Sequence, residues 1–366
     1  MQGKIAYFSK DGKIGFTRRE LPEPEPGALL VRVLRSNICG SDVKNWKSGV
    51  SLGAGGDKTC QGHEFVGRIL RLGEGVAADS AGRPVQVGDR IVAAYYITCG
   101  ECRACQKGRY DQCENAYIHL GQSPEDNPHF SGTFATHYYI YPRQRFYKVP
   151  DSLSDSLAAG ANCRFSQIYY GLERLDIQTG ETLLIQGAGP MGLYAVALAR
   201  EKGVRTIVVD GIPQRLELAR RFGADHIVSM QEYTTVEARV QAVKDLTGGR
   251  GPDAAVEVTG FAGAFEEGIQ YLAPLGRYVI IGINVVSASA AVSPGYITRK
   301  ALTVSGVARY LPEYLNKSLE FLDKFQDKYP FQEFTEQSFG LEELEDALRI
   351  TADRKVEQAF IVPEED

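Results

Sequence analysis

The sequence predicts an α/β protein of two domains, a β-barrel domain of short antiparallel strands and a doubly wound domain built on a parallel sheet. Three observations carry that prediction. At 366 residues the chain is longer than one hydrophobic core usually organises, which favours about two domains. Its first 160 residues hold short β-type runs separated by Gly and Pro, the spacing of antiparallel strands and their turns. From about residue 165 strand-length and helix-length apolar patterns alternate, as βαβ units require.

In the first region the runs 29–34, 64–70 and 89–93 read as strands. In the second, 182–186 reads as a buried strand, 191–202 as a helix, 205–210 as a strand and 213–222 as a helix. The alternation continues through 226–229, 236–246, 254–258, 264–272 and 277–281. Beyond about residue 306 the pattern is mixed again, with helical periodicity at 311–325 and 341–351 and a last strand at 359–362. The tail is therefore expected to return to the first domain, which gives one domain of 1–164 with 307–366 and a second of 165–306.

Hydrophobic residues make up 43% of the chain and charged residues 24%, which places it among ordinary globular proteins. The net charge is −5 with both signs interspersed, so neither a nucleic-acid nor an anionic-membrane footprint is expected. A small-molecule substrate is the expected partner. Residues 1–7 contain no signal-peptide core and no segment approaches bilayer length, which points to a cytoplasmic protein. Seven cysteines, an odd number, then read as thiols or metal ligands rather than as a disulfide framework.

Gly187-Ala188-Gly189-Pro190-Met191-Gly192 is a GxGxxG that follows a predicted strand and opens a predicted helix, and Asp210 ends the next strand 18 residues beyond Gly192. That context marks a dinucleotide site. Gly187 permits the tight turn, Gly189 lets the backbone approach a pyrophosphate, Gly192 allows close helix–strand packing, and Pro190 and Met191 begin the helix whose N-terminus faces the phosphates. Asp210 can accept hydrogen bonds from a ribose diol and would repel a 2′-phosphate, which favours NAD over NADP; Arg215 is near enough in sequence to weaken that preference.

Cys99, Cys102, Cys105 and Cys113 fall within 15 positions. Four thiolates so spaced suit a closed tetrahedral zinc site that holds a loop, or an iron–sulfur cluster. Zinc is favoured because nothing else in the chain suggests electron relay. Cys39, in the run CGSD, and His63, in GHE, are ambiguous singly, since a lone Cys is often a small buried hydrophobe and a lone His a satisfied core group.

The order CGSD, GHE, the four-cysteine run and GxGxxG resembles the zinc-dependent alcohol dehydrogenases of the medium-chain dehydrogenase/reductase superfamily, over essentially the whole chain. The resemblance implies a GroES-like β-barrel catalytic domain made from both ends of the chain and a Rossmann coenzyme domain inserted in it. It makes Cys39, His63 and Cys163 the ligands of a catalytic zinc with an open fourth position, and the four-cysteine set a second, structural zinc. It further implies that Asp42 holds the free ring nitrogen of His63, that Glu64 lies behind the zinc, and that subunits pair as homodimers or homotetramers through an edge such as 303–307. Read without the resemblance, Glu64 is a solvated carboxylate at a strand start.

The activity implied is hydride transfer between an alcohol and NAD, giving ketone or aldehyde. Ser41 matches the position that takes up the alcohol proton. Many relatives carry a His five residues after the first ligand, where this chain has Lys44. Either its surroundings lower the Lys44 pKa or water and the cofactor ribose carry the proton directly. Gly40 replaces an Arg that grips the pyrophosphate in some relatives. The motifs around 161–163 and 209–211 are similar to a bacterial branch that includes dehydrogenases of bulky alicyclic alcohols, so a secondary or alicyclic alcohol is expected, with Trp46 and Phe165 as pocket residues or core. The competing readings are a polyol or sugar dehydrogenase, a zinc-free quinone or enone reductase on the same fold, and an NAD-binding sensor without chemistry.

Overall fold

The computed structural model describes residues 1–49, 56–283 and 286–364, and the chain forms two compact units. The first comprises residues 1–163, 311–326 and 331–366, the second 164–310 and 327–330.

The first unit is organised around the strand Leu29–Asn37, which pairs along its length with Glu64–Leu72, His137–Ile140 and Gln358–Ile361, all antiparallel. Both of its faces carry buried residues, so its sequence LLVRVL is apolar but for Arg32 rather than a clean alternation. Leu29, Val31 and Val33 enter one core with Phe65, Ile69 and Ile91, while Leu30 enters another with Ile5, Phe130 and Tyr139. Two register shifts against Glu64–Leu72, at Leu30/Val31 and Val33/Arg35, supply the local bend that lets one strand serve several partners. A separate three-stranded sheet, Ile14–Glu20, Gln2–Ser9 and Lys58–Cys60, was not foreseen from sequence.

The C-terminal segment belongs to this unit. Gln358–Ile361 pairs with Ser36 and Asn37, and helix Leu344–Ala352 buries Leu344, Ala347 and Leu348 against Ala6, Phe8, Ile38 and Phe134. Trp46 packs against this same cluster, which resolves its ambiguity towards core.

The second unit is a six-stranded parallel sheet in the order His226–Ser229, Arg205–Asp210, Thr182–Gln186, Ala254–Glu257, Arg277–Ile280 and Thr303–Gly306. The strands 182–186, 205–210 and 226–229 and the helix 236–246 have the predicted bounds, and the other predicted elements of this unit lie within one or two residues of theirs. Chain order reverses between Thr182–Gln186 and Ala254–Glu257, the switch point at which doubly wound sheets bind ligands. Phe165 is fully buried and packs against Tyr194 at 4.7 Å, so it too is core. No helix among the described residues is long and apolar enough to cross a membrane.

Candidate active site

Three distant stretches of the first unit bring Cys39, His63, Glu64 and Cys163 together, with their ligand atoms all within 4.8 Å of one another. Cys39 follows strand Leu29–Asn37 and is the N-cap of helix Gly40–Ser48. The cap is reciprocal, for the Cys39 amide donates a 2.8 Å hydrogen bond to Asp42 Oδ2, as in a capping box. Asp42 Oδ1 stands 3.4 Å from His63 Nδ1. One carboxylate, itself buried, thereby fixes the backbone of the first thiol and the ring of the imidazole, and leaves Nε2 facing the cluster.

His63 also meets the ring of Tyr95 edge-on at 5.2 Å, a contact for which the sequence carried no signal. Burial pulls the imidazole pKa down, but Asp42 and Cys39 outweigh it and hold His63 well above its usual value. Glu64 begins strand Glu64–Leu72 opposite Asn37 and is fully buried, which excludes a solvated carboxylate. Cys163 sits in a single π-helical turn, Ala161–Phe165, between helices Asp155–Gly160 and Ser166–Arg174; such turns are rare and cluster at functional sites. Two thiols, one imidazole and one carboxylate fit a borderline-soft divalent ion such as zinc.

The second cluster, Cys99, Cys102, Cys105 and Cys113, is equally close. Cys99 Sγ lies 3.9 Å from Cys105 Sγ and 3.6 Å from Cys113 Sγ. Sulfurs around one tetrahedral zinc, with bonds of about 2.3 Å, stand ~3.8 Å apart, whereas ligands to separate irons of a cluster must stand farther apart, so the geometry selects a single ion. Backbone amides of Cys102 and Glu101 draw the Cys99 thiol down to about 6, while burial pushes Cys105 up to about 12. Amides pointing at sulfur are what four crowded thiolates require.

In the second unit the glycine turn behaves as its spacing demands. Gly187 has φ 107°, and a Cβ on Gly192 would lie 1.9 Å from Gly187 O. Gly189 is the N-cap of helix Pro190–Glu201, with Pro190 as its first residue and Met191 as its second. Asp210 accepts hydrogen bonds from the amides of Ala188 at 2.7 Å and Ile212 at 2.8 Å, so the carboxylate also braces the turn. Arg215 reaches that turn, with Nη1 3.9 Å from the position of a Cβ on Gly189.

Two sequence candidates stay outside these clusters. Ser41 is half-buried in the first turn of helix Gly40–Ser48, and Lys44 is exposed on the same helix. His119 stacks on Tyr141 at 4.0 Å, His129 and His137 bond to Pro124 O and Thr136 Oγ1, and His226 is exposed. Cys60 is buried against His129 O.

Comparison with known proteins adds the family context. The alcohol dehydrogenase GroES-like domain matches residues 25–151, and the zinc-binding dehydrogenase domain matches residues 190–324. The 5-exo-hydroxycamphor dehydrogenase of Pseudomonas putida is 32% identical over 338 residues, 90% of each chain. The sorbitol dehydrogenase of Bacillus subtilis is 32% identical, covering 87% of this chain and 85% of its own. Among solved structures, an alcohol dehydrogenase from Thermotoga maritima superposes with a TM-score of 0.91 at 28% identity, over all of both chains.

Proposed function

The chain belongs to the zinc-dependent alcohol dehydrogenases of the medium-chain dehydrogenase/reductase superfamily, and on that premise we propose that it interconverts a secondary, alicyclic alcohol and its ketone with NAD. It is an oxidoreductase that uses zinc and a nicotinamide dinucleotide. The observation that carries the zinc-dependent reading is the meeting of Cys39, His63, Glu64 and Cys163 within 4.8 Å, a donor set for which a zinc-free enone reductase or a sensor without chemistry has no use. The relative named for hydroxycamphor, a rigid alicyclic secondary alcohol, supports the substrate class.

Cys39, His63 and Cys163 would hold one zinc, with Glu64 beside it, and the four clustered cysteines a second. Bound zinc supplies a Lewis acid that makes a substrate hydroxyl acidic near neutral pH, and bound nicotinamide supplies the hydride acceptor. Asp42 Oδ1 keeps the His63 ring oriented through Nδ1, so that Nε2 stays a donor. Ser41 Oγ, two residues after Cys39 and in the first turn of the same helix, receives the proton that leaves the hydroxyl. Lys44 is exposed on that helix, and water with the cofactor ribose would carry the proton onward from Ser41. Asp210 would hold the adenosine ribose of NAD and the Gly187–Gly192 turn its pyrophosphate. Thr303–Gly306 ends the parallel sheet with one side unpaired among the described residues, which suits pairing with a second copy in a homodimer or homotetramer. Seven cysteines, none of them in a disulfide, suit a reducing, cytoplasmic location.

The test is an NAD- and NADP-linked screen of cyclic secondary alcohols, polyols and primary alcohols beside zinc counting. Two zincs per chain and the highest kcat/KM for a cyclic secondary alcohol with NAD are expected. Fastest turnover of a polyol would move the chain to the sorbitol-type branch. One zinc, or NAD binding without turnover of any alcohol, would end the proposal.

A further inference from the structure

Resting on that reading, we propose that Asn162 is the positioning residue of the catalytic metal centre, its side-chain amide standing in for a missing rung of the sheet that carries His63 and Glu64. The ladder between strands Glu64–Leu72 and Arg90–Ala93 makes the point. Ile69 N bonds to Asp89 O at 2.9 Å, and Gly67 pairs with Ile91. In an antiparallel ladder bonded pairs recur every second residue, so the next rung would join Phe65 N to Ala93 O. Neither group makes that bond to the other. Phe65 N donates to Asn162 Oδ1 at 3.1 Å, and Asn162 Nδ2 donates to Ala93 O at 2.5 Å. A side-chain amide, completely buried, has been inserted between two strands and satisfies both.

The consequence lies in which residues adjoin this insertion. Phe65 follows His63 and Glu64 directly, and Asn162 precedes Cys163 within the π-helical turn. The amide is thus the shortest link between the strand start bearing two metal-facing groups and the turn bearing a third. The wide turn projects Asn162 into the sheet while Cys163 remains free to face His63. The role needs both a donor and an acceptor on one short side chain, which asparagine supplies. An alanine lets the rung close and draws the strand start away from Cys163. An aspartate keeps the acceptor for Phe65 N but sets oxygen against Ala93 O.

Metal retention tests this without relying on turnover. Parent, Asn162→Ala and the isosteric Asn162→Asp are loaded with zinc and challenged with a chelator, and the cobalt(II)-substituted forms are compared by visible spectroscopy. Both variants are expected to keep the four-cysteine zinc and to bind the other about 10- to 100-fold more weakly, as loss of an outer partner of a metal ligand does, with a changed cobalt–thiolate band. The four-cysteine zinc and the thermal midpoint report that the variants fold. Unchanged affinity and cobalt spectrum overturn the inference, as does loss of both ions together. A parent chain holding only the four-cysteine zinc overturns the proposed function and this inference with it.

Discussion

Replacing either of two glycines in one turn by alanine should separate folding from cofactor binding. A Cβ on Gly192 would lie 1.9 Å from Gly187 O and 2.9 Å from Gly187 C. Restoring a contact of 3.0 Å requires the turn and the helix start to part by about 1.1 Å or more. Neither side yields easily, because Gly187 N is bonded to Val209 O at 2.9 Å and Gly187 already sits at φ 107°. Overpacking costs about 1–3 kcal/mol where side chains can adjust; a clash with backbone belongs at the top of that range. A Cβ on Gly189, by contrast, meets only Arg215 Nη1, at 3.9 Å, and φ −70° with ψ −177° is open to any residue. Gly189→Ala should therefore change stability by less than about 1 kcal/mol, yet its methyl occupies the approach of a pyrophosphate to the turn. Tenfold weaker NADH binding, about 1.4 kcal/mol, is the least that follows. Thermal unfolding and NADH fluorescence titration of both variants check this: Gly192→Ala should lose stability and binding, Gly189→Ala binding alone. A Gly189→Ala chain that binds NADH like the parent would refute the placement of the phosphates.

Asp210→Ala should raise KM for NAD and shift the ratio of kcat/KM for NADP over NAD upwards by at least about tenfold, because it removes both the repulsion of a 2′-phosphate and the brace on Ala188 and Ile212; an unchanged ratio in paired kinetics would count against Asp210 as the discriminator. Asp42→Asn removes the charge beside His63 Nδ1, and chelator competition should find the catalytic zinc held about 10- to 100-fold less tightly. Cys113→Ser should leave one zinc per chain by metal analysis, with the Cys39 site still filled. Burial pushes Cys60 up to about 12 from an unfolded value of 9.0, so the folded chain keeps its proton where the unfolded chain loses it. Its contribution to stability is complete below pH 9 and declines as pH rises from there towards 12. Mass mapping after iodoacetamide at pH 8 should find Cys60 unlabelled until the chain is unfolded.

The parallel sheet and its cofactor turn were legible because their signals are local. A buried strand, a glycine turn and a helix follow one another within Thr182–Glu201, and each glycine's task is set by neighbours a few residues away. The first unit was less legible for the opposite reason. Strands Gln2–Ser9 and Ile14–Glu20 pair as a hairpin but mix polar and apolar residues without a clean alternation, and Phe146–Lys148 is three residues long with its partner, Arg90–Ala93, far away in sequence. Glu64 kept a second, bland reading for a like reason: a carboxylate at a strand start is ordinarily solvated, and only the packing of remote segments makes this one fully buried in the metal cluster.

The metal centre shows why ligands are easier to read than what aims them. Each thiol ligand travels with its anchor in the sequence, Asp42 three residues after Cys39 and Asn162 one before Cys163. Asp42 stands out through the family resemblance of the run CGSD, and its contacts with the Cys39 amide and His63 Nδ1 are the ones the structure shows. Asn162 does not, for its partners Phe65 and Ala93 are 97 and 69 residues distant, and nothing local distinguishes an asparagine that spans a sheet from one that caps a turn. The two anchors also differ in what they fix. Asp42 sets the orientation of one ring, a matter of degrees, whereas Asn162 sets the spacing between two backbone segments. A misplacement of 1 Å at that level moves every group attached to the segment, so the spacing residue should be the less tolerant of the two, and Asn162→Asp should weaken catalytic zinc binding more than Asp42→Asn in the same chelator competition.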